Sequence, residues 1–424
     1  MIKHIKEKIR QARHKFAFLY FLLIMVIYVP YALTLPSHSF RSAIITAIGV
    51  DTYEQGVEVS VLTLSDISKT NMGENTKLVS GNGITVANAI SSIEINLGRK
   101  IRMGHVGFVA VSKEVASNNI VDILNTLILT SKLPNTVPLV MVDKSSKELL
   151  KKTNELEQSS SFKMREIIHT EFNETFSKDT NIDEFLKGYL SPLSISTVGY
   201  ITIDSDQSNG IDAGGGSSNS NEQGQKDLLG TSMGGGQGEK QEDSIINFRN
   251  EHAIFVNGKF KYVLSKQEMD GINWIAENGL KKVFTIDGVT EQGLNDAKIT
   301  FEVTRQTVNP KVKFKNNKPT LTFDLSIVID IAEISQKGVS GIPLREFVLT
   351  KSIKDKIKSK IKQEISFSIN KMRENKTDVV GIFQSIYNNY SDFEKFWDTL
   401  DDKEDFLSFV KIDASIYCQM VSNK

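Results

Sequence analysis

Six histidines, one cysteine and a few carboxylate runs are the groups in this chain whose types could do chemistry. Their spacing argues against most of it. His4, His14, His38, His105, His169 and His252 never fall into the His/Cys/carboxylate spacings that hold a metal. His105, behind Gly104, is of the residue type that serves as a general base, but no nucleophile or acid partner stands beside it in the sequence. Cys418 lies in a period-2 run with Val410, Ile412, Ala414, Ile416 and Met420, so it reads as a small buried apolar residue rather than a thiol nucleophile. The stretch from Gly81 to Ala87 mimics a dinucleotide-binding turn. Its small residue comes one place late, and no acid closes a second strand. The acidic run Asp398–Asp405 lacks the glycine and alternation of a calcium loop. No catalytic residue, cofactor or metal is therefore expected, and the chain is not read as an enzyme.

The elements that would position these groups alternate between strand and helix. Ile44–Val50 and Val57–Leu64 flank a turn-rich Asp51–Gly56, the pattern of a hairpin. Ser80-Gly81-Asn82-Gly83 then reads as a chain break. After it Ile84, Ala87, Ile90, Ile93 and Leu97 share a helical face. A strand (Val106–Val111), a helix (Ile120–Leu129), a strand (Val137–Val142) and a helix after Asp143 follow. Asp204–Asp243, rich in Gly, Ser, Asn and Gln, reads as a disordered loop. Beyond it come the strands His252–Val256 and Phe260–Leu264, then a helix capped by Ser265. Three β-rich stretches lie at roughly 281–287, 297–309 and 320–334. Ile353, Ile357, Ile361, Ile365 and Ile369 recur every four residues, the stripe of a helix packed on a sheet. The lysines between them form a solvated face. The last strand is Phe409–Val421.

The one long apolar run is Phe16–Leu35. It is 20 residues long, and about 20 apolar residues cross a bilayer as helix. Phe16, Leu19, Phe21, Leu22, Ile24, Val26, Ile27 and Val29 supply its membrane-facing surface. Six bases and one acid precede it, which places the N-terminus in the cytoplasm and the body outside. Two other readings are open: a cleaved signal peptide, for which Ser37–Ala43 supplies small residues, and a buried core helix. Removing the head's six bases and one acid from the 51 of each sign leaves the body at −5, a charge with no general attraction for nucleic acid. A lone cysteine allows no internal disulfide, and none stands near the apolar run to accept a lipid, so the run itself is the expected tether.

Short motifs in order carry a resemblance: AIGVD (Ala47–Asp51), GRKIRMGH (Gly98–His105), HAIFVNGKFKYVLSKQEMDGINW (His252–Trp274) and KTDVVGI (Lys376–Ile382). In these the chain resembles the Ger(x)C family, the C subunits of spore nutrient germinant receptors. The resemblance implies a non-catalytic receptor subunit on the outer face of the spore inner membrane. It implies partners too: an A subunit and a permease-like B subunit. Most members carry a lipid-acceptor cysteine, and this chain departs from them in having none. The motif positions Gly104, His105, Lys376, Asp378 and Gly381 are the candidate functional residues. An exported solute-binding protein with its own pocket is the alternative.

The expected architecture is α+β (mixed α/β): an N-terminal transmembrane helix, then a three-domain ectodomain of mixed and antiparallel sheets packed by helices. Its parts are a basic head (1–15), an anchor (16–35), an N-terminal α/β domain with a helical extension (40–203), the disordered loop (204–243), a middle α/β domain (244–300) and a C-terminal domain with a long amphipathic helix (301–424).

Overall fold

The computed structural model describes residues 42–64, 76–157, 163–170, 180–204, 245–276, 282–336, 347–388 and 390–421, and before them 16, 18, 20–26 and 28. Residues 20–26 are helical and exposed. Of the expected anchor residues, Phe16, Phe21, Leu22, Ile24 and Val26 are described and exposed; Leu19, Ile27 and Val29 lie outside the described residues. Among the described residues no helix is long and apolar enough to cross a membrane. The expected loop 204–243 also lies outside them, except for Asp204.

Two sheets organise the body. In the first, the order is β3-β2-β1-β5-β6-β7-β8-β9, with β4 (Lys100–Arg102) beside β1. The hairpin of β1 (Ser42–Tyr53) and β2 (Gly56–Leu64) forms as the two β-rich runs around the turn-rich Asp51–Gly56 predict, with Tyr53 opposite Gly56. At the centre β1, β5 (Phe108–Ser112), β6 (Leu139–Val142) and β7 (Ile195–Asp204) run parallel. Parallel strands are covered on both faces, and the side chains divide accordingly. Val109, Val111, Leu139 and Met141 face one core with α1 (Val86–Leu97), α2 (Lys113–Ala116) and α3 (Val121–Ser131). Phe108, Ala110, Val140 and Val142 face another with α4 (Ser146–Glu157) and α5 (Lys163–Ile168).

The expected break at Ser80–Gly83 is instead the end of strand β3 (Thr76–Gly83). The glycines are there because α1 presses on the strand. A Cβ on Gly81 would stand 2.5 Å from the Ala89 carbonyl oxygen, and one on Gly83 2.5 Å from the Ala89 nitrogen. The helix also starts later than the apolar spacing suggests. Thr85 caps it, so Ile84 is left exposed and the buried face is Val86, Ala89, Ile90 and Ile93.

The second sheet has the order β10-β11-β12-β13. Its frame is a long hairpin, β11 (Ala297–Lys315) and β12 (Lys318–Ser335), closed by Asn316 and Asn317, both at positive φ. Two residues at positive φ make the turn whose twist matches a hairpin, and asparagine tolerates that region. β10 (Val283–Val289) and β13 (Lys411–Met420) are the edges. One face is covered by α8 (Lys351–Glu374), whose buried stripe is the predicted isoleucine series. Thr350 caps it.

Residues 244–300 divide between the sheets. β8 (Ile245–Val256) and β9 (Lys259–Leu264) extend the first, while β10 and the start of β11 belong to the second. β8 serves both cores: Ala253 and Phe255 face the first and Ile254 the second. Helix α7 (Lys266–Ile275) follows, with Ser265 and Glu268 forming a reciprocal capping box.

Candidate functional site at the junction of the sequence motifs

The motif residues are local in sequence but meet across long gaps in the fold. AIGVD ends on Asp51, which is 8% exposed. Its carboxylate accepts from Ser146 N–H (2.8 Å), Lys147 N–H (2.9 Å), Ser146 Oγ–H (2.9 Å) and Ser145 Oγ–H (3.2 Å). It therefore satisfies the free N–H groups that open α4, where a helix also favours negative charge. Gly49 makes room for that contact, since a Cβ there would lie 2.6 Å from Ser146 Oγ.

The His252–Trp274 and Lys376–Ile382 motifs meet at the end of α8. Lys376 sits at φ 51 and Gly381 at φ 79, the left-handed turns that carry the chain from α8 into α9 (Ile382–Tyr387). Asp378, 7% exposed, holds that corner: its Oδ1 accepts from Ile382 N–H (2.8 Å) and its Oδ2 from Phe383 N–H (2.6 Å). The β9 motif reaches the same corner. Lys261 Nζ donates to the Asn375 carbonyl (2.6 Å), and the Tyr262 hydroxyl shares a 2.7 Å hydrogen bond with Thr377 Oγ1. Lys376 itself points to Asp402 (2.6 Å) on the surface. That hydrogen bond raises the lysine's pKa and lowers the aspartate's, an exposed pair of little weight for stability.

A cleft of ≈ 260 Å³ opens beside this corner. Asp378, Val379 and Gly381 line one side; Lys187, Ser191 and Ser196 line the other, from the end of α6 (Ile182–Tyr189) to the start of β7. Lys187 is committed within α6, to Asp183 (2.8 Å) and Glu184 (2.7 Å), and these bonds raise its pKa. Gly104 and His105 are not brought here. They form an exposed turn after β4, and the space around Gly104 is open, with no atom within 4 Å of where a Cβ would stand.

Sequence reading missed the partners. Tyr262 and Thr377 are 115 residues apart, and nothing local marks either as the other's partner. It also missed a buried polar knot where α7 packs on α8. Trp274 Nε1–H donates to Glu364 Oε2 (2.5 Å). Lys282 Nζ lies 4.1 Å from the centre of the Trp274 ring, 3.4 Å from Asp270 and 3.7 Å from Glu364. Burial pulls the Lys282 pKa down, and the two acids oppose it. Cys418 is buried as expected, and burial pushes its thiol up to about 11. Among the described residues no group of three or more His, Cys, Asp and Glu side chains could hold a metal ion.

Burial pushes the Tyr262 hydroxyl up to about 12, with the Thr377 hydrogen bond opposing. An unfolded tyrosine ionises near 10, so from about pH 10 to 12 the unfolded chain has given up a proton that the folded chain keeps. Stability contributed here is whole below that window and falls as pH rises through it. Tyr262→Phe removes the ionisable group. Its melting temperature should fall less steeply than the wild type's over that window, and parallel pH curves would show that Tyr262 is not the group responsible.

Two family models match the chain in order. Residues 41–203 match one described as "Spore germination protein N-terminal domain", and residues 250–419 match "Spore germination B3/ GerAC like, C-terminal". The spore germination protein KC of Bacillus subtilis (strain 168) is 23% identical over 343 residues, which is 79% of this chain and 75% of that protein. The crystal structure of the GerBC protein matches with a TM-score of 0.48 and 13% identity, over 88% of this chain and 97% of that one.

Proposed function

This chain belongs to the Ger(x)C family of spore germination proteins, and on that premise we propose that it is a non-catalytic, membrane-anchored C subunit of a nutrient germinant receptor. The observation that carries the reading is the ordered pair of family matches, which spans both sheets. The fate of the motif residues supports the non-catalytic part: Asp51 and Asp378 spend both carboxylate oxygens on helix starts. Side chains so bound position a surface rather than turn over a substrate.

The body stands outside the spore inner membrane, tethered by Phe16–Leu35, and works with an A subunit and a permease-like B subunit. Gly104 and His105, exposed and unneeded by the core, are motif positions that can touch such a partner. Deleting the gene should abolish germination in response to one nutrient and leave vegetative growth intact. Normal germination of the deletion strain to every nutrient tried would refute the proposal. The tether is tested separately by the mature N-terminus: mass spectrometry finding it at Ser37–Ala43 would mean that the run is cut off.

The cleft beside Asp378 favours a second reading, a subunit that itself binds a small solute. Saturable heat of binding with free amino acids would support it, and heats equal to dilution would discard it.

A further inference from the structure

The strand pairing at the start of the fold brings a basic motif to the point where the chain enters the body. Ser42, Ala43 and Ile44 of β1 pair in parallel with Lys100, Ile101 and Arg102 of β4. Only residues 36–41 separate β1 from the apolar run. At about 3.6 Å per residue the step from Leu35 to Ser42 spans at most about 25 Å. So if the run is in the bilayer, β4 is held close to the bilayer surface.

What β4 presents there is positive. Arg99, Lys100 and Arg102 are exposed, while Ile101 between them turns inward. Arg165 of α5 stands at the same end of the sheet: a Cβ on Gly107 would come within 3.3 Å of its Cβ and Cδ, and Gly107 N–H is bonded to the Thr46 carbonyl of β1 (2.7 Å). Glu94 is an acid inside the group. Its Oε2 pairs with Lys100 (2.6 Å) and its Oε1 accepts from Ile101 N–H (3.2 Å), so it holds β4 in place and offsets one charge. The body as a whole is at −5, which makes a basic corner at this spot a local departure. Ile44, 37% exposed at the same edge, adds an apolar side chain.

We propose that the corner of Arg99, Lys100, Arg102 and Arg165 lies on the membrane and binds the phosphate groups of anionic phospholipids, fixing how the body stands on the bilayer. A single tether does not by itself fix how the body is turned on the bilayer. Guanidinium groups bind phosphate with two hydrogen bonds in a set geometry, so headgroup contacts at one corner do fix it. The proposal rests on the anchored reading above.

The full chain is placed in nanodiscs of phosphatidylcholine alone or mixed with phosphatidylglycerol, and amide hydrogen exchange is followed at residues 42–44 and 99–105. Exchange should slow in the phosphatidylglycerol discs at low salt. The slowing should vanish at high salt and in the triple variant Arg99→Gln, Lys100→Gln, Arg102→Gln. Equal exchange in the two kinds of disc overturns the proposal, and so does protection that persists without anionic lipid, which would point to a protein contact instead. Loss of the chain from both discs on washing overturns the anchored reading, not this one. The corner is then judged by binding of the released chain to phosphatidylglycerol vesicles. At roughly fivefold per basic residue, the loss of three positive charges makes the triple variant about a hundredfold weaker; equal binding overturns the proposal.

Discussion

Gly271→Ala should lower stability by about 3 kcal/mol or more, the upper end of what overpacking a core costs. Gly271 lies in α7 where it packs on α8. A methyl group there would fall inside the contact radius of the Glu364 carbonyl oxygen and of Ser368 Oγ. The first is helix backbone, so it cannot turn aside as a side-chain end could; the two helices must separate. Separation would also break the Ser368 Oγ–H to Glu268 carbonyl bond (2.5 Å) and the Trp274–Glu364 bond, and would unseat Lys282 from the ring. Buried groups that lose their partners cost more than the bonds themselves. Denaturant unfolding of the full chain measures this. Gly104→Ala is the matched control, because its Cβ would meet nothing within 4 Å. It should leave stability within about 0.5 kcal/mol, as surface changes do. If the two variants unfold alike, the close approach of α7 and α8 is not what Gly271 provides. A Gly104→Ala protein of normal stability that fails in germination would identify that turn as a contact surface.

Asp51→Ala should be nearly as damaging, with a loss of about 3 kcal/mol. Four donors converge on this carboxylate. Each charge-assisted bond contributes about 1.5–3 kcal/mol, but the four share one acceptor and do not add. Losing the cap of a helix alone costs about 1 kcal/mol. The remainder is the desolvation of Ser146, fully buried, whose N–H and hydroxyl would face a void. At roughly 2–4 °C per kcal/mol the melting temperature should drop by about 6–12 °C. Asp51→Asn keeps one acceptor oxygen and loses the charge, so it should fall between the two. An Asn variant as unstable as the Ala variant would mean that charge, not hydrogen bonding, is what α4 needs. Loss of α4 also uncovers Phe108 and Val140, which it covers with Leu149 and Leu150, so hydrogen exchange should rise in β5 and β6 before β11 or β12.

The local repeats were readable. An isoleucine every four residues marks α8, and its buried residues include that stripe. Two β-rich runs around a turn mark β1 and β2, and alternation marks β12 and β13. Ser265 three residues before Glu268 marks the start of α7, and both halves of that capping box form. These signals survive because each one is a property of neighbouring residues, fixed by the pitch of a helix or the pleat of a strand. The motif strings also sufficed for the family, since their order along the chain needs no folding to be seen.

Glycine was where local reading failed. Gly81 and Gly83 look like chain breakers, yet they pair within β3 because α1 lies on them, and only the packed helix shows why a side chain is excluded. The assignment of residues 244–300 to two sheets was equally hidden, because which strand a β-run pairs with depends on surfaces far along the chain. The chemistry-bearing residues follow the same division. By itself the sequence placed His105, Asp378 and the basic residues 99–102 in motifs that carry the family resemblance, and excluded a disulfide scaffold with its single cysteine. Only the tertiary structure decided that Asp378 holds a helix start, that Asp51 reaches Ser146, and that Lys100 and Arg102 stand beside the strand where the chain enters the fold. Spacing along a chain encodes the period of an element, but contact between elements depends on shape and charge matching that no single stretch contains.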